Sequence, residues 1–185
     1  MQVLKTKFHT GLLLFLLLCS WSMPAQTPPN REYQVKAAFL FNFAQFVEWP
    51  PAALPELSTP LVIGILGEDP FGSYLEAIIS GEKINGHPLK VEHYRSLEEV
   101  KTCQILFLNI TEPKKLGQVI ASLKGRTILT VGDAPDFIQE GGMIRFFIGN
   151  NKIQFQINQE EAKSQRLIIS SKLLRLAKTE GPGKK

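Results

Sequence analysis

Three short apolar runs constrain this chain most. They lie in "PLVIGILG" (60–67), "QILFLNI" (104–110) and "RTILTVGD" (126–133). Each holds four to six nearly unbroken apolar residues, too few for a buried helix and rich in β-branched types. A strand that reads apolar on both faces is covered on both faces. Helical segments stand between them: "EDPFGSYLEAIISG" (68–81), a turn followed by a helix, and "EPKKLGQVIASLKG" (112–125), an amphipathic helix closed by Gly125. "HPLKVEHY" (87–94) alternates and predicts a further strand. "SLEEVKT" (96–102) predicts a short helix capped by Ser96, with Glu99 at the capping-box position. Strands alternating with helices of this length build an α/β fold with a mostly parallel sheet.

The pattern then changes. "MIRFFIGNNKIQFQIN" (143–158) contains two alternating runs around a turn. With Asn150 and Asn151 in a two-residue loop, Ile148 faces Ile153, Phe146 faces Phe155 and Ile144 faces Ile157. The opposite side pairs Phe147 with Gln154, Arg145 with Gln156 and Met143 with Asn158. A one-residue slip would break every apolar pair, so the register is specified. Asn tolerates the positive φ that such a loop demands. An antiparallel hairpin therefore joins the sheet and makes it mixed. "QEEAKSQ" (159–165) predicts a short helix. "LIISSKLLRLAK" (167–178) predicts a final one capped by Ser170 or Ser171.

"KAAFLFNFAQFVEWP" (36–50) gathers four phenylalanines and a tryptophan. At helical spacing Val35, Phe39, Phe43, Phe46 and Val47 share a broad face with Leu40, and Gln34, Asn42, Gln45 and Glu48 form a narrow polar strip. Pro50 and Pro51 stop the helix, because the residue before a proline avoids helical backbone. Lys36 and Glu48 bracket only eleven residues, whereas a spanning helix needs about 20. A mostly apolar helix packed against a sheet is the expected form, with part of the stripe open to a partner as the competing one.

The first 25 residues read as a secretory signal peptide: Lys5 and Lys7, the apolar "GLLLFLLLC" (11–19), then Ala25 before Gln26 in "SMPAQ". A retained anchor is the alternative. Leu18 before Cys19 disfavours a lipid-attachment box. Loss of two lysines would lower the formal charge of +4 by two. The other cations are scattered apart from Lys184 and Lys185, so the sequence carries no nucleic-acid footprint. Residues 26–31 read as a flexible leader, 32–178 as a single α/β domain and 179–185 as a frayed tail. Cys103 would be the lone cysteine after export, at the mouth of an apolar run, and is expected to be a buried, inert thiol.

No motif points to catalysis. Gly64, Gly67 and Gly72 do not have dinucleotide-binding spacing, and Glu68 and Asp69 stand where a pyrophosphate would approach. His87 and His93 flank one strand about 20 Å apart at 3.3 Å per residue, too far to share a metal. There is no G-x-S-x-G elbow. Catalytic residues, metal ligands and cofactors are accordingly expected to be absent. Gly67, Asp69 and Asp133 fall at predicted carboxyl ends of strands, where ligands of such folds bind. They make a candidate small-ligand site, although Gly67, Asp69 and Asp133 each also suit a plain turn.

Several stretches together resemble the YfiR-like family of bacterial periplasmic proteins: "KAAFLFNFAQFVEWP", "GILGEDPFG", "CQILFLN", "ILTVGDAPDFIQEGGMIRFF", "IQFQIN" and "LIISSKLLRLA". The likeness covers about residues 32–178. It implies a Rossmann-like α/β sandwich with a mixed sheet, often dimeric. It also implies a non-enzymatic, periplasmic role: repression of an inner-membrane diguanylate cyclase by binding its periplasmic domain, with cyclic di-GMP and biofilm rising when the grip is lost. Some members neighbour sensor kinases or receptors instead, which a small-ligand sensor module would suit. On this reading Arg145 and Phe147, pointing away from the apolar pairs of the hairpin, and Phe137 on the connection before it are the candidate partner contacts. Relatives can carry disulfides that couple folding to redox state. With Cys103 alone, disulfide sensing within one monomer is not open to this chain.

Overall fold

The computed structural model describes residues 31–178. The signal-peptide, leader and tail readings lie outside these residues. The chain forms helix α1 (Arg31–Phe46), strand β1 (Val47–Glu48), β2 (Leu61–Leu66), α2 (Ser73–Ile79), β3 (Lys83–Ile84), β4 (His87–Tyr94) and β5 (Ile105–Leu108). It continues through α3 (Pro113–Leu123), β6 (Leu129–Gly132), β7 (Ile144–Gly149), β8 (Lys152–Ile157), α4 (Gln159–Ser164), β9 (Ile168–Ile169) and α5 (Ser171–Leu176).

Seven strands form one sheet in the order β3-β4-β2-β5-β6-β7-β8. β4, β2, β5, β6 and β7 run parallel, and β3 and β8 are antiparallel edges. The fold is α/β with a mixed, mostly parallel sheet, as the sequence predicts. The five parallel strands, counted along the chain, lie in the order 2-1-3-4-5. The chain thus starts in the middle, winds one way to β4, and returns across β2 to build the other half.

The alternating residues of the central strands divide into two cores. Ile63, Ile65, Ile105, Phe107, Leu129, Val131, Ile144, Phe146 and Phe155 face α1, α2 and α5. Val62, Leu66, Leu106 and Leu108 face α3, with Val100, Cys103 and Phe137 packed beside them. This two-sided burial is why β2 and β5 carry apolar residues at every position, and β6 at every position but Thr130, whose hydroxyl accepts from the Met143 N–H.

The hairpin matches its predicted register. Ile144 pairs with Ile157, Phe146 with Phe155 and Ile148 with Ile153. Asn150 and Asn151 take φ of 52° and 58°. The Asn158 N–H donates to the Met143 carbonyl at 2.7 Å. The final helix is capped by Ser170, whose hydroxyl accepts from the Leu173 N–H.

Three local expectations are corrected. The buried face of α1 is Lys36, Ala37, Leu40, Phe43 and Ala44, and Val35 is 40% exposed. The helix is rotated because its two alanines let the backbone approach the sheet, while Phe39 and Phe46 reach in from the flanks. Phe39 and Phe43 then meet Phe146 and Phe155 at ring separations of 5.3–5.9 Å. The helix also ends at Phe46, before the prolines. Val47 and Glu48 pair with Ile169 and Ile168 in a separate two-stranded sheet that ties the two ends of the domain together. Finally, Ser96 makes no cap bond. The segment forms only a 3-10 turn, and Glu99 accepts instead from the Arg95 N–H at 2.8 Å.

A charged and aromatic cluster at the carboxyl edge of the sheet

Glu32, Tyr33 and Lys36 share the first turns of α1, and helical spacing sets Glu32 and Lys36 four apart on one face. Lys36 is only 2% exposed. An ammonium so deeply placed must be paired. Its Nζ stands 2.5 Å from Glu32 Oε1 and 2.6 Å from Asp133 Oδ2. Asp133 is the first residue after β6, so this pair joins the N-terminal helix to the carboxyl edge of the sheet, 97 residues away in sequence. The Tyr33 hydroxyl donates to the same Oδ2 at 3.1 Å, and Lys36 Nζ lies 4.3 Å from the Tyr33 ring centre. Burial, the Asp133 charge and that hydrogen bond push the Tyr33 pKa well above its ordinary value, which keeps the phenol a neutral donor.

Arg145 comes from the neighbouring strand β7, with Gly132 as its register partner. Its Nε donates to the Ala134 carbonyl at 3.1 Å, and its guanidinium lies 5.8 Å from the Phe147 ring centre. Together Glu32, Lys36, Asp133, Arg145, Phe146, Phe147 and Ile148 line a cavity of about 330 Å³. Two cations face two carboxylates there. Oδ2 of Asp133 is committed to both Lys36 and Tyr33, so the polar groups hold one another in place. At the rim Phe147 is half-buried and Ile148 is 62% exposed. The arrangement suits recognition: a rigid polar floor beside an apolar lip.

The structure thus gathers Asp133, Arg145 and Phe147 in one place, although sequence reasoning assigned them to two different sites. Phe137 is elsewhere and is fully buried in the core around α3. Its ring fills the space left by Gly132 and Gly142, where any Cβ would overlap it. It presents no surface to a partner, so its role is in packing. Gly67 lines a different and larger cavity. Asp69 forms a turn, accepting from the Phe71 N–H at 2.8 Å and meeting His93 Nε2 at 3.1 Å. Gly67, Asp69 and Asp133 therefore serve three separate sets of contacts. The residues missed from sequence are Lys36, Glu32 and Tyr33; the i,i+4 pairing of Glu32 with Lys36 was the one local signal. Among the described residues no group of three or more His, Cys, Asp or Glu side chains could hold a metal. Burial pushes the Cys103 thiol up to about 12, and its Sγ donates to the Ile105 carbonyl at 2.9 Å.

Fold and cluster define a doubly wound α/β module whose carboxyl edge presents a fixed, mixed-charge and aromatic surface. Residues 33–178 match the family described as YfiR/HmsC-like. The chain belongs to that family, which is regulatory and periplasmic. No helix of the described residues is long and apolar enough to cross a membrane.

Proposed function

We propose that this protein is a periplasmic negative regulator. It binds the periplasmic part of an inner-membrane diguanylate cyclase and holds the enzyme in its inactive form, so that cyclic di-GMP stays low. The observation that carries this reading is the convergence of Arg145, Phe147 and the exposed Ile148 on one rigid edge of a chain of this family. A docking surface needs an apolar or aromatic anchor inside a polar surround, with side chains already ordered. Here the ion pairs of Lys36 supply the order and Phe147 with Ile148 supply the anchor.

Repression follows from differential binding. The regulator favours one conformation of the cyclase and shifts that population. Moving a two-state enzyme from almost fully active to almost fully inactive takes about 5.5 kcal/mol of preference. One interface of standard size, about 1,600 Å² in total, supplies that. The buried thiol of Cys103 leaves no second cysteine in the described domain for a redox switch, so release comes from competition for the docking edge or from a ligand. Deleting the gene tests the reading: cellular cyclic di-GMP rises and returns to baseline when the wild-type chain is supplied. Unchanged cyclic di-GMP on deletion would refute it.

A further inference from the structure

The order 2-1-3-4-5 has one point where neighbouring parallel strands lead their connections to opposite faces. It lies between β2 and β5. After β2 the chain turns to α2 on the α1 side, and after β5 it turns to α3 on the other side. The two connections part and leave a crevice outside the carboxyl ends of the strands, the general position for ligands in such sheets. A cavity of about 560 Å³ occupies this point, within the range of small-molecule sites.

Its walls are built, not incidental. Gly67 follows β2 with φ of 105°, and a Cβ there would stand 2.7 Å from the Asn109 carbonyl oxygen. Asn109 N–H donates to the Leu66 carbonyl at 3.0 Å, and its side-chain amide donates to the Glu68 carbonyl at 2.8 Å. These bonds lock the two strand ends side by side. Leu97, Ile110 and Val119 give the cavity an apolar side. Arg95 and Lys115 also line it, and neither makes an ion pair among the described residues. Of the two carboxylates at the rim, Glu98 is engaged by the Ser96 side chain, and Glu112 precedes α3. The lining thus carries two cations and two carboxylates, and Arg95 and Lys115 are the groups in it able to meet an anion.

We infer that this switch-point crevice binds a small organic anion. Its carboxylate or phosphate lies between Arg95 and Lys115, and its apolar body rests on Leu97, Ile110 and Val119. The site is separate from the Lys36 cluster, with which it shares no lining residue. It gives a regulator whose described domain holds a single, buried cysteine a place to receive a chemical signal.

The test is an amide-resolved NMR titration of the purified protein with 3-phenylpropionate, phenyl phosphate and the neutral 3-phenylpropanol. At least one anion shifts the amides of Gly67, Asn109 and Thr111 saturably, and the alcohol does not. Whichever anion binds assigns the headgroup as carboxylate or phosphate. Arg95→Ala and Lys115→Ala each weaken binding about tenfold, and the double variant abolishes it while retaining the wild-type spectrum elsewhere. Both side chains are exposed, so the fold tolerates their removal. The inference is overturned if neither anion shifts those amides at millimolar concentration, if the alcohol binds equally well, or if the double variant binds like wild type. None of these results depends on whether the protein represses a cyclase.

Discussion

Lys36 shows how far a single residue can depart from its type. In sequence it marks the polar border of an apolar helix; in the fold it is among the most buried side chains. Its decisive partner, Asp133, is remote in sequence, so no local pattern discloses it. Lys36→Met keeps the bulk but strands two carboxylates that are only about a quarter exposed. Breaking a buried pair costs more than never having had one, and partial hydration of the carboxylates softens the loss to about 2 kcal/mol. The urea midpoint should fall at unchanged m-value, and Lys36→Met combined with Asp133→Asn should cost less than the sum of the two. Cys103 behaves as its sequence context predicts. Its thiol is raised from 9.0 to about 12 by burial, and Tyr33 and Tyr94 are raised above 10.0 by burial and carboxylate contacts. The unfolded chain therefore releases these protons first, and above about pH 9 it binds fewer protons than the native state. Stability is fully present below pH 9 and is lost as pH rises, by up to about 1.4 kcal/mol per pH unit per group. Denaturant unfolding from pH 8 to 11 checks this; Cys103→Ala should make the slope shallower between pH 9 and 11.

At the scale of elements, the strands and the hairpin were legible because their periodicity is unambiguous. Every residue pair named from the sequence between β7 and β8 is found opposite its partner. The two-residue strands β1, β3 and β9 were not legible. Such short segments carry no period; the pairing of β1 with β9 depends on where the ends of α1 and α5 come to rest, whereas β3 turns back onto β4 around Asn85 and Gly86, whose φ of 51° and 90° mark a tight hairpin. In sequence, the stretch "GDAPDFIQEGGM" is a connection that carries the candidate contact Phe137. Its physical meaning is a phenylalanine seated between two glycines. Gly142→Ala would drive a methyl into the Phe137 ring and to 2.6 Å from the Phe137 carbonyl oxygen. The expected loss is about 3 kcal/mol, at the upper end for overpacking because backbone as well as side chain must yield. Thermal unfolding of Gly142→Ala and Gly132→Ala measures it; a melting temperature within a degree of wild type would contradict this packing.

For the whole molecule, the topology places every candidate feature on one edge. Lys36 and Asp133, the Arg145–Phe147–Ile148 lip and the crevice at Gly67 all lie toward the carboxyl ends of the strands. The sequence indicated that edge through Gly67 and Asp133 but not which strand ends open there, because strand order is set by packing of both cores and not by local pattern. The central claim is that the lip beside the Lys36 cluster grips the partner. It is tested most directly by supplying the deletion strain with Ile148→Asp or Phe147→Ala chains and measuring cyclic di-GMP. Ile148 is mostly exposed, so its substitution should leave export level and melting temperature unchanged. The account predicts that the wild-type chain restores low cyclic di-GMP and that Ile148→Asp does not. Full repression by Ile148→Asp at equal protein level would contradict it.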